Sequence, residues 1–219
     1  MDIKHKLKLL TPLLLYAVFY IAAFALLEKI DRTGWISPSL EIDNMIPFVP
    51  VFIIPYVSWF VWVPFVCGLL LISDEKNFVR TERFLIIGMT VFLIFSAIIP
   101  TKLYLRPDII PDKGISGFLL NTIYSADTST NVFPSIHVYN SCVVWHAVLT
   151  SDEWLFRQKW FRAFTTVQAI LIILSTMLVK QHSVIDVVGA FLLFAVVLIL
   201  DRHFLYITGQ KKSKAEGEK

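Results

Sequence analysis

Two residues in the last quarter of the chain have a spacing that chemistry can use. His182 and Asp186 are four residues apart, so on a helix they share a face and the carboxylate can reach one imidazole nitrogen. That contact would fix the tautomer of the histidine and leave its other nitrogen free. A histidine held in this way can act as a nucleophile, a base or a metal ligand. His137, one turn into another predicted helix, would supply a second proton-transfer group.

Positive charges and helix starts accompany these histidines in the sequence. Lys102, Arg106 and Lys180 are the cations that could surround a bound phosphate. Helices that begin near Ser135 and Ser183 would direct backbone N–H groups and a partial positive charge toward an anion. The pattern therefore predicts a phosphate site.

Each of these features alone also has a purely structural interpretation. Arg106-Pro107 is typical of an interfacial arginine before a turn, and the two lysines could extend to lipid headgroups. Ser135 suits a helix cap, and a buried His182–Asp186 pair can tie one helix to its neighbours. The site interpretation is favoured because all these residues fall on one predicted side of a membrane.

The elements that position these residues are predicted to be membrane helices. Of the 219 residues, 56% are hydrophobic and 17% are charged, and the mean hydropathy is +0.68, which is high for a water-soluble domain. The net charge of +3 is explained by basic loops and a basic tail, so no nucleic-acid partner is indicated.

Six apolar runs have the length that a membrane crossing requires, which is about 20 helical residues. They are Leu9 to Leu27, a run within Asn44 to Ser73, Phe84 to Pro100, Pro134 to Ser151, Phe161 to Val179 and His182 to Leu200. We therefore expect an all-α polytopic membrane protein, with one six-helix bundle over residues 1–219 and a motif-bearing core at about 101–186.

The distribution of basic residues predicts the orientation of this bundle. With both termini in the cytoplasm, 14 of the 20 Lys and Arg residues lie on the cytoplasmic side, as the positive-inside rule requires. The residues with candidate chemistry then lie on the opposite side. The two cysteines, Cys67 and Cys142, fall inside predicted helices without metal-ligand spacing.

Three motifs in this region resemble those of the type 2 phosphatidic acid phosphatase superfamily, which includes lipid phosphate phosphatases and undecaprenyl pyrophosphate phosphatases. The family pattern is Lys, six residues, then Arg-Pro; Pro-Ser-Gly-His; and Ser-Arg, five residues, His, three residues, Asp. The chain has Lys102 to Pro107, Pro134 to His137, and Ser175 to Asp186 at the corresponding places. The expected six-helix layout agrees with this resemblance.

The resemblance implies a mechanism and a set of residue roles. His182 would attack phosphorus and form a phosphohistidine, with Asp186 orienting it, and His137 would protonate the leaving lipid alkoxide. Arg106 and Ser135 would bind phosphate oxygens, and water would release phosphate. Lys102, Lys180 and Ser175 complete the predicted substrate-binding set. The resemblance implies no metal and no organic cofactor.

The chain departs from the family pattern at three positions. Thr176 replaces a phosphate-binding Arg, and Lys180 is the nearby cation that could take over its charge. Ile136 stands where the family has Gly. Lys102 precedes Arg106 by four residues, whereas the family Lys precedes its Arg by seven.

These departures leave alternatives open. Similar motifs occur in the inositol phosphorylceramide and sphingomyelin synthases, which transfer a phospho-headgroup to an alcohol. A non-enzymatic metal- or lipid-binding protein is a further alternative, because two histidines and a carboxylate can bind zinc.

The first interpretation is a lipid phosphate or diphosphate phosphatase whose site faces the non-cytoplasmic side. Its expected partners are the lipid substrate and the surrounding membrane lipids. The small size favours a bacterial plasma membrane, and the sequence indicates no oligomeric state.

Overall fold

The computed structural model describes residues 3–30, 32–108, 110 and 114–217, with side chains described as far as residue 203. Within these ranges the regular elements are helices, accompanied by isolated bridges between Ile36 and Thr101 and between Lys102 and Thr130. The all-α prediction is therefore confirmed for the described chain.

Nine α-helices and one short 3₁₀ turn follow one another along the described residues. They are α1 (Ile3–Lys29), α2 (Glu41–Met45), the 3₁₀ turn (Pro50–Phe52), α3 (Ile53–Ser73), α4 (Glu75–Ile98), α5 (Gly114–Ala126), α6 (Ile136–Thr150), α7 (Trp154–Arg157), α8 (Lys159–Leu178) and α9 (Val184–Gly217).

Five of these helical segments are long and apolar enough to cross a membrane: α1, α3 with its preceding 3₁₀ turn, α4, α8, and α9 as far as His203. The remaining expected span corresponds to α6, which has 15 residues. At 1.5 Å per residue α6 is about 22 Å long, which is less than the roughly 30 Å of a hydrocarbon core.

Three helices extend well beyond the expected apolar runs, and the first of them, α1, begins at Ile3, six residues before Leu9. Helix α4 begins at Glu75, nine residues before Phe84, where the third apolar run begins. A charge-free run predicts only the part of a helix that crosses the membrane, and the helix itself can continue through polar residues on either side of that part. Helix α9 likewise runs past Leu200 to Gly217. Helices α2, α5 and α7 were not expected, because they are too short to give an apolar run of membrane length.

Helix α6 lies at the centre of the bundle. Ten of its 15 residues are buried, and it packs against α3, α4, α8 and α9. The absence of a side chain at Gly88 of α4 lets the Tyr139 ring of α6 come close, and the Tyr139 hydroxyl donates to the Phe84 carbonyl at 2.8 Å. This close packing fixes the helix that carries His137.

Helix α1 packs at the edge of the bundle and has one buried residue, Tyr20. Polar contacts hold its ends. Lys6 Nζ lies 2.8 Å from a Glu75 carboxylate oxygen, and Glu28 accepts hydrogen bonds from the loop that joins α5 to α6. Between these contacts, the middle of α1 forms one wall of a cavity that also touches α3 and α4.

Candidate active site

The turn between α8 and α9 places His182. Lys180 has a left-handed backbone, with φ of 55°. The N–H groups of Gln181 and His182 donate to the Thr176 carbonyl at 2.9 and 3.0 Å, and that of Lys180 donates to Met177. This pattern is a Schellman helix end with a lysine where glycine is usual. The turn places His182 two residues before Val184, where α9 begins.

The start of α9 is closed by a capping box that includes Asp186. The Ser183 N–H donates to Asp186 Oδ2 at 2.8 Å, and the Asp186 N–H donates to the Ser183 hydroxyl at 3.2 Å. The two residues thus satisfy each other's backbone donors. The cap holds the Asp186 carboxylate near Nδ1 of His182.

The structure brings the three residues predicted to be catalytic together. His182 Nδ1 lies 3.6 Å from Asp186 Oδ2, which is an electrostatic contact, and His182 Nε2 lies 3.4 Å from His137 Nδ1. All three residues are buried. Asp186 therefore faces one nitrogen of His182, and the other nitrogen faces the second histidine.

Helix α6 holds His137 through its first turn and through aromatic neighbours. The Ser135 hydroxyl caps α6 by accepting from the Val138 N–H at 3.4 Å, and the Ser135 N–H donates to the Asp186 carbonyl at 3.2 Å. The rings of Tyr56 and Trp59, both on α3, lie 4.6 and 4.5 Å from the His137 ring. Ser135 thus connects the beginnings of the two helices that carry the histidines.

A cavity of about 570 Å³ adjoins both histidines, a size typical of small-molecule sites. Its polar end includes Asp127, Gln181 and Asn131, and its apolar walls come from α1, α3 and α4. The apolar part is lined by Ala17, Tyr20, Ile21, Phe24, Trp59, Phe60, Pro64, Met89 and Phe92, together with Ile123, Ala126, Val132 and Ile136. The chemistry of this lining suits an amphiphile.

Arg106 lies behind the polar end of the cavity. Its guanidinium donates to the carbonyls of Tyr124 at 3.3 Å and Asp127 at 2.7 Å, and to the Gln181 side-chain oxygen. It also stacks 4.3 Å from the centre of the Tyr124 ring. Arg106 therefore contacts two residues of the cavity lining, Asp127 and Gln181.

Removal from water changes the pKa of the charged groups outside the helical spans. It raises the pKa of the Asp127 carboxyl, against the opposing effects of His182 and Arg106. It lowers the pKa of Arg106 and that of Lys180, where Asp43 acts in the opposite direction. Charge at this end of the molecule is thus costly unless a ligand or a neighbour compensates it.

Lys180 makes contacts away from the cavity. Its ammonium donates to the carbonyls of Asp43 at 2.7 Å and Ile46 at 2.5 Å. The Asp43 carboxylate accepts in turn from the Val184 N–H at 2.8 Å. In this structure Lys180 ties the α8–α9 turn to α2, and it is not among the residues that line the cavity.

The other predicted binding residues also lie outside the cavity lining. The Lys102 ammonium sits over the rings of Trp35 and Tyr104, 5.9 and 5.4 Å from their centres. The hydroxyls of Ser175 and Thr176 donate to carbonyls of their own helix. Ile136, at the position of the family Gly, lines the cavity.

Sequence reasoning did not identify Asp127, Gln181, Tyr56 or Glu28 as site residues. Gln181 directly precedes His182, so its place inside the motif was a signal that could have identified it. Asp127 follows α5, a helix that was not predicted, and its proximity to the histidines is a tertiary effect.

The Tyr56 hydroxyl donates to Asp127 Oδ2 at 3.3 Å. Glu28 accepts from Thr130 and Asn131 at 2.8 and 2.7 Å.

The zinc alternative requires a set of converging ligands. Over the residues that the structure describes, no group of three His, Cys, Asp or Glu side chains is arranged to hold a metal ion.

Apolar helices around a buried His–His–Asp cluster and an amphiphilic cavity define an integral membrane protein with a candidate phosphoryl-transfer site. The family model of the PAP2 superfamily matches residues 81–208, which is more than half of the chain. The chain therefore belongs to the PAP2 superfamily, whose members are generally phosphatases and phosphotransferases. Neither the curated proteins nor the solved structures include a significant match.

Proposed function

We propose that the protein cleaves a phosphate ester of a membrane lipid through a phosphohistidine on His182. The observation that carries this proposal is the position of His182 Nε2. It lies 3.4 Å from His137 Nδ1, on the wall of a cavity with one polar end and apolar sides. A nucleophile and a proton-transfer group thus meet where a lipid phosphate can be accommodated.

The contacts of His182 support this role. Asp186 Oδ2 favours the tautomer with a proton on Nδ1, which leaves a lone pair on Nε2. The Nε2–His137 contact is replaced when phosphate enters between the rings. The negative charge of the phosphate then favours the protonated form of His137.

The reaction has two steps with balanced proton transfer. Nε2 of His182 attacks phosphorus, the N–P bond forms and the P–O bond to the lipid breaks, and His137 gives its proton to the departing oxygen. Neutral His137 then takes a proton from water, whose oxygen displaces His182 from phosphorus. Arg106 and Gln181 stabilise charge on the phosphoryl oxygens.

A six-helix bundle with both termini in the cytoplasm would place this site on the non-cytoplasmic face. Two observations support that orientation. His182 lies at the α8–α9 junction and contacts His137 of α6, whereas Arg162 and Arg202 lie toward the opposite ends of the apolar spans of α8 and α9. Most basic residues belong to that opposite side, as the positive-inside rule predicts.

Headgroup transfer to an alcohol is the second candidate. It is favoured by the neutral Thr176 at the family Arg position and by Ile136 on the cavity wall. The first step would be the same, and the hydroxyl of an acceptor would replace water in the second.

The test is an assay of lipid phosphates, diphosphates and phosphodiesters in detergent, with and without an added alcohol. We expect His182→Ala to lower kcat at least about 10³-fold for any substrate turned over. Activity should survive a chelator and be inhibited by vanadate. Loss of activity with the chelator alone would support the zinc alternative, and full activity of His182→Ala would overturn the phosphohistidine mechanism.

A further inference from the structure

The polar end of the cavity has fewer positive charges than a phosphate monoester requires. A monoester carries about −1.5 to −2 charges at neutral pH. Thr176 is neutral where the family has Arg, Lys180 is bound to the carbonyls of Asp43 and Ile46, and Lys102 lies over two outer aromatic rings. Arg106 is the motif cation that remains near the cavity.

The donors that remain suit a single negative charge. Arg106 already donates to Tyr124, Asp127 and Gln181, and its buried Nε has no hydrogen-bond partner among the described residues. The buried Gln181 Nε2, also without a partner in that part of the chain, belongs to a residue of the cavity lining. The positive charges near the phosphate would be those of Arg106 and of the protonated His137, and the Asp127 carboxylate of the lining offsets one of them, so the balance matches the single charge of a phosphodiester.

A carboxylate in the same lining would repel a dianion. Asp127 lines the cavity together with both histidines. Glu28 adds a second carboxylate close behind, where it accepts from Thr130 and Asn131 of the lining. Two acids beside one guanidinium favour a ligand that brings a positive charge of its own.

Aromatic rings accompany the Asp127 carboxylate. Tyr56 donates its hydroxyl to Asp127 Oδ2 at 3.3 Å, and Trp59, one turn further along α3, lines the cavity. Trp59 and Asp127 thus belong to the lining of one cavity, and aromatic faces attract ammonium groups. The position therefore suits the amine of a lipid headgroup.

From this charge balance we propose that the substrate is a zwitterionic lipid phosphodiester, and that Asp127 binds its cationic headgroup. The inference rests on the proposed function, because it assigns a substrate class to the same site. It narrows the lipid phosphate esters of the proposed function to a diester with a positively charged headgroup.

The step conserves atoms and charge. His182 Nε2 attacks the phosphorus of the diester, and the P–O bond to diacylglycerol breaks. The diacylglycerol oxygen takes the His137 proton, and the phospho-headgroup stays on His182. Water or an alcohol, losing a proton to His137, then displaces the headgroup phosphate from the histidine. Diacylglycerol is thus the first product for every glycerolipid.

The test measures diacylglycerol release by the full chain in vesicles from three lipids with identical acyl chains. They are phosphatidylethanolamine, phosphatidylglycerol and phosphatidic acid, which are a zwitterionic diester, an anionic diester and a monoester. We expect kcat/KM to be about tenfold higher for the first than for the other two, which corresponds to about 1.4 kcal/mol.

Variants separate headgroup binding from a structural role of Asp127. Asp127→Asn should lower kcat/KM for phosphatidylethanolamine about tenfold and leave that for phosphatidylglycerol within about twofold. Asp127→Glu should restore part of the preference. Asp152→Asn removes an exposed acid next to Ser151, at the other end of α6, and should match the wild type with all three lipids.

The outcomes distinguish failure of this inference from failure of the proposed function. If phosphatidic acid is the best substrate and its cleavage requires His182, the proposed function stands and the inference is overturned. An equal loss with both diesters in Asp127→Asn also overturns it, because the acid would then act without regard to the headgroup. If no lipid is cleaved in a manner that requires His182, the proposed function itself fails.

Discussion

Asp186 combines two tasks that are usually given to different residues. Its Oδ2 accepts from the Ser183 N–H at 2.8 Å in the helix cap, and the same oxygen faces His182 Nδ1 at 3.6 Å. The cap therefore holds the carboxylate in place even before a substrate is bound. Substitution at this position would affect helix α9 and the tautomer of His182 together.

One prediction concerns the loss of folding stability that the ionised Asp127 carboxylate causes. Its folded-state pKa is raised by loss of water contact, with His182 and Arg106 opposing and Glu28 reinforcing the shift. Below the unfolded pKa of about 3.9 the carboxyl is neutral in both the folded and the unfolded protein, so it does not lower the folding stability. As the pH rises through the folded pKa, folding stability is lost. We expect Asp127→Asn to have a higher Tm than wild type at pH 7, measured in detergent.

The control for this prediction is the same pair of proteins at about pH 3, below the unfolded pKa of Asp127. There both side chains are neutral, so the two Tm values should converge. A variant less stable than wild type at pH 7 would show that the charge of Asp127 is compensated in the folded protein.

The candidate site could be predicted from the sequence where local spacing determines geometry. The four-residue separation of His182 and Asp186 predicted their contact, although His182 precedes α9, which begins at Val184, and the α8–α9 turn and the helix cap produce the geometry. The direction of long side chains could not be predicted. Lys180 and Lys102 contact α2 carbonyls and outer aromatic rings, because these partners come from distant parts of the chain.

At the scale of elements, the contact between α4 and α6 depends on a missing side chain. A Cβ at Gly88 would lie 1.9 Å from a Tyr139 ring carbon. We expect Gly88→Ala to lower the free energy of unfolding by about 1–3 kcal/mol, the usual cost of overpacking, and to lower activity by shifting α6. Thermal unfolding in detergent and lipid turnover measure the two effects.

Gly68 of α3 provides the matched control. A Cβ there meets nothing within 4 Å, and alanine is the better helix former. Gly68→Ala should therefore leave unfolding and turnover unchanged or slightly raise stability. Equal losses in the two variants would contradict the assignment of the effect to the Tyr139 contact.

Helix α5 and the loop after it show why the polar residues of the cavity lining could not be predicted from the sequence. The helix has 13 residues, too few for a membrane span, and the loop contributes polar cavity residues such as Asp127 and Asn131. Glu28 of α1 holds this loop through Thr130 and Asn131, across about a hundred residues of sequence. No local pattern encodes that contact.

At the scale of the whole molecule, the predicted orientation can be tested by cysteine labelling. The native Cys67 and Cys142 are buried, so a membrane-impermeant maleimide should not react with the wild-type protein. We expect Ser125→Cys, next to the site, to be labelled in intact cells, because it lies on the non-cytoplasmic side in our topology. Asp152→Cys should be labelled after permeabilisation.

The opposite labelling pattern would show that the topology is inverted and that the site faces the cytoplasm. Labelling of both variants in intact cells would contradict a separation of the two loops by a membrane. The wild-type protein is the control for reaction at the buried cysteines.

Most of the helical framework could be predicted because apolar runs and membrane thickness constrain each other. The short helix α6 is the exception in length, since its burial by α3, α4, α8 and α9 replaces contact with lipid. Its position at the centre of the bundle depends on packing between helices, which no single run specifies.

Helix α1 forms a wall of the cavity although it has one buried residue, Tyr20. A wall with so few buried residues is exposed along most of its length, and in the proposed topology its outer face contacts lipid. The proposed lipid substrate would then reach the histidines by diffusion in two dimensions, without passing through water. We expect the rate to follow the mole fraction of substrate in the bilayer, so that dilution with inert lipid slows the enzyme while dilution with buffer does not.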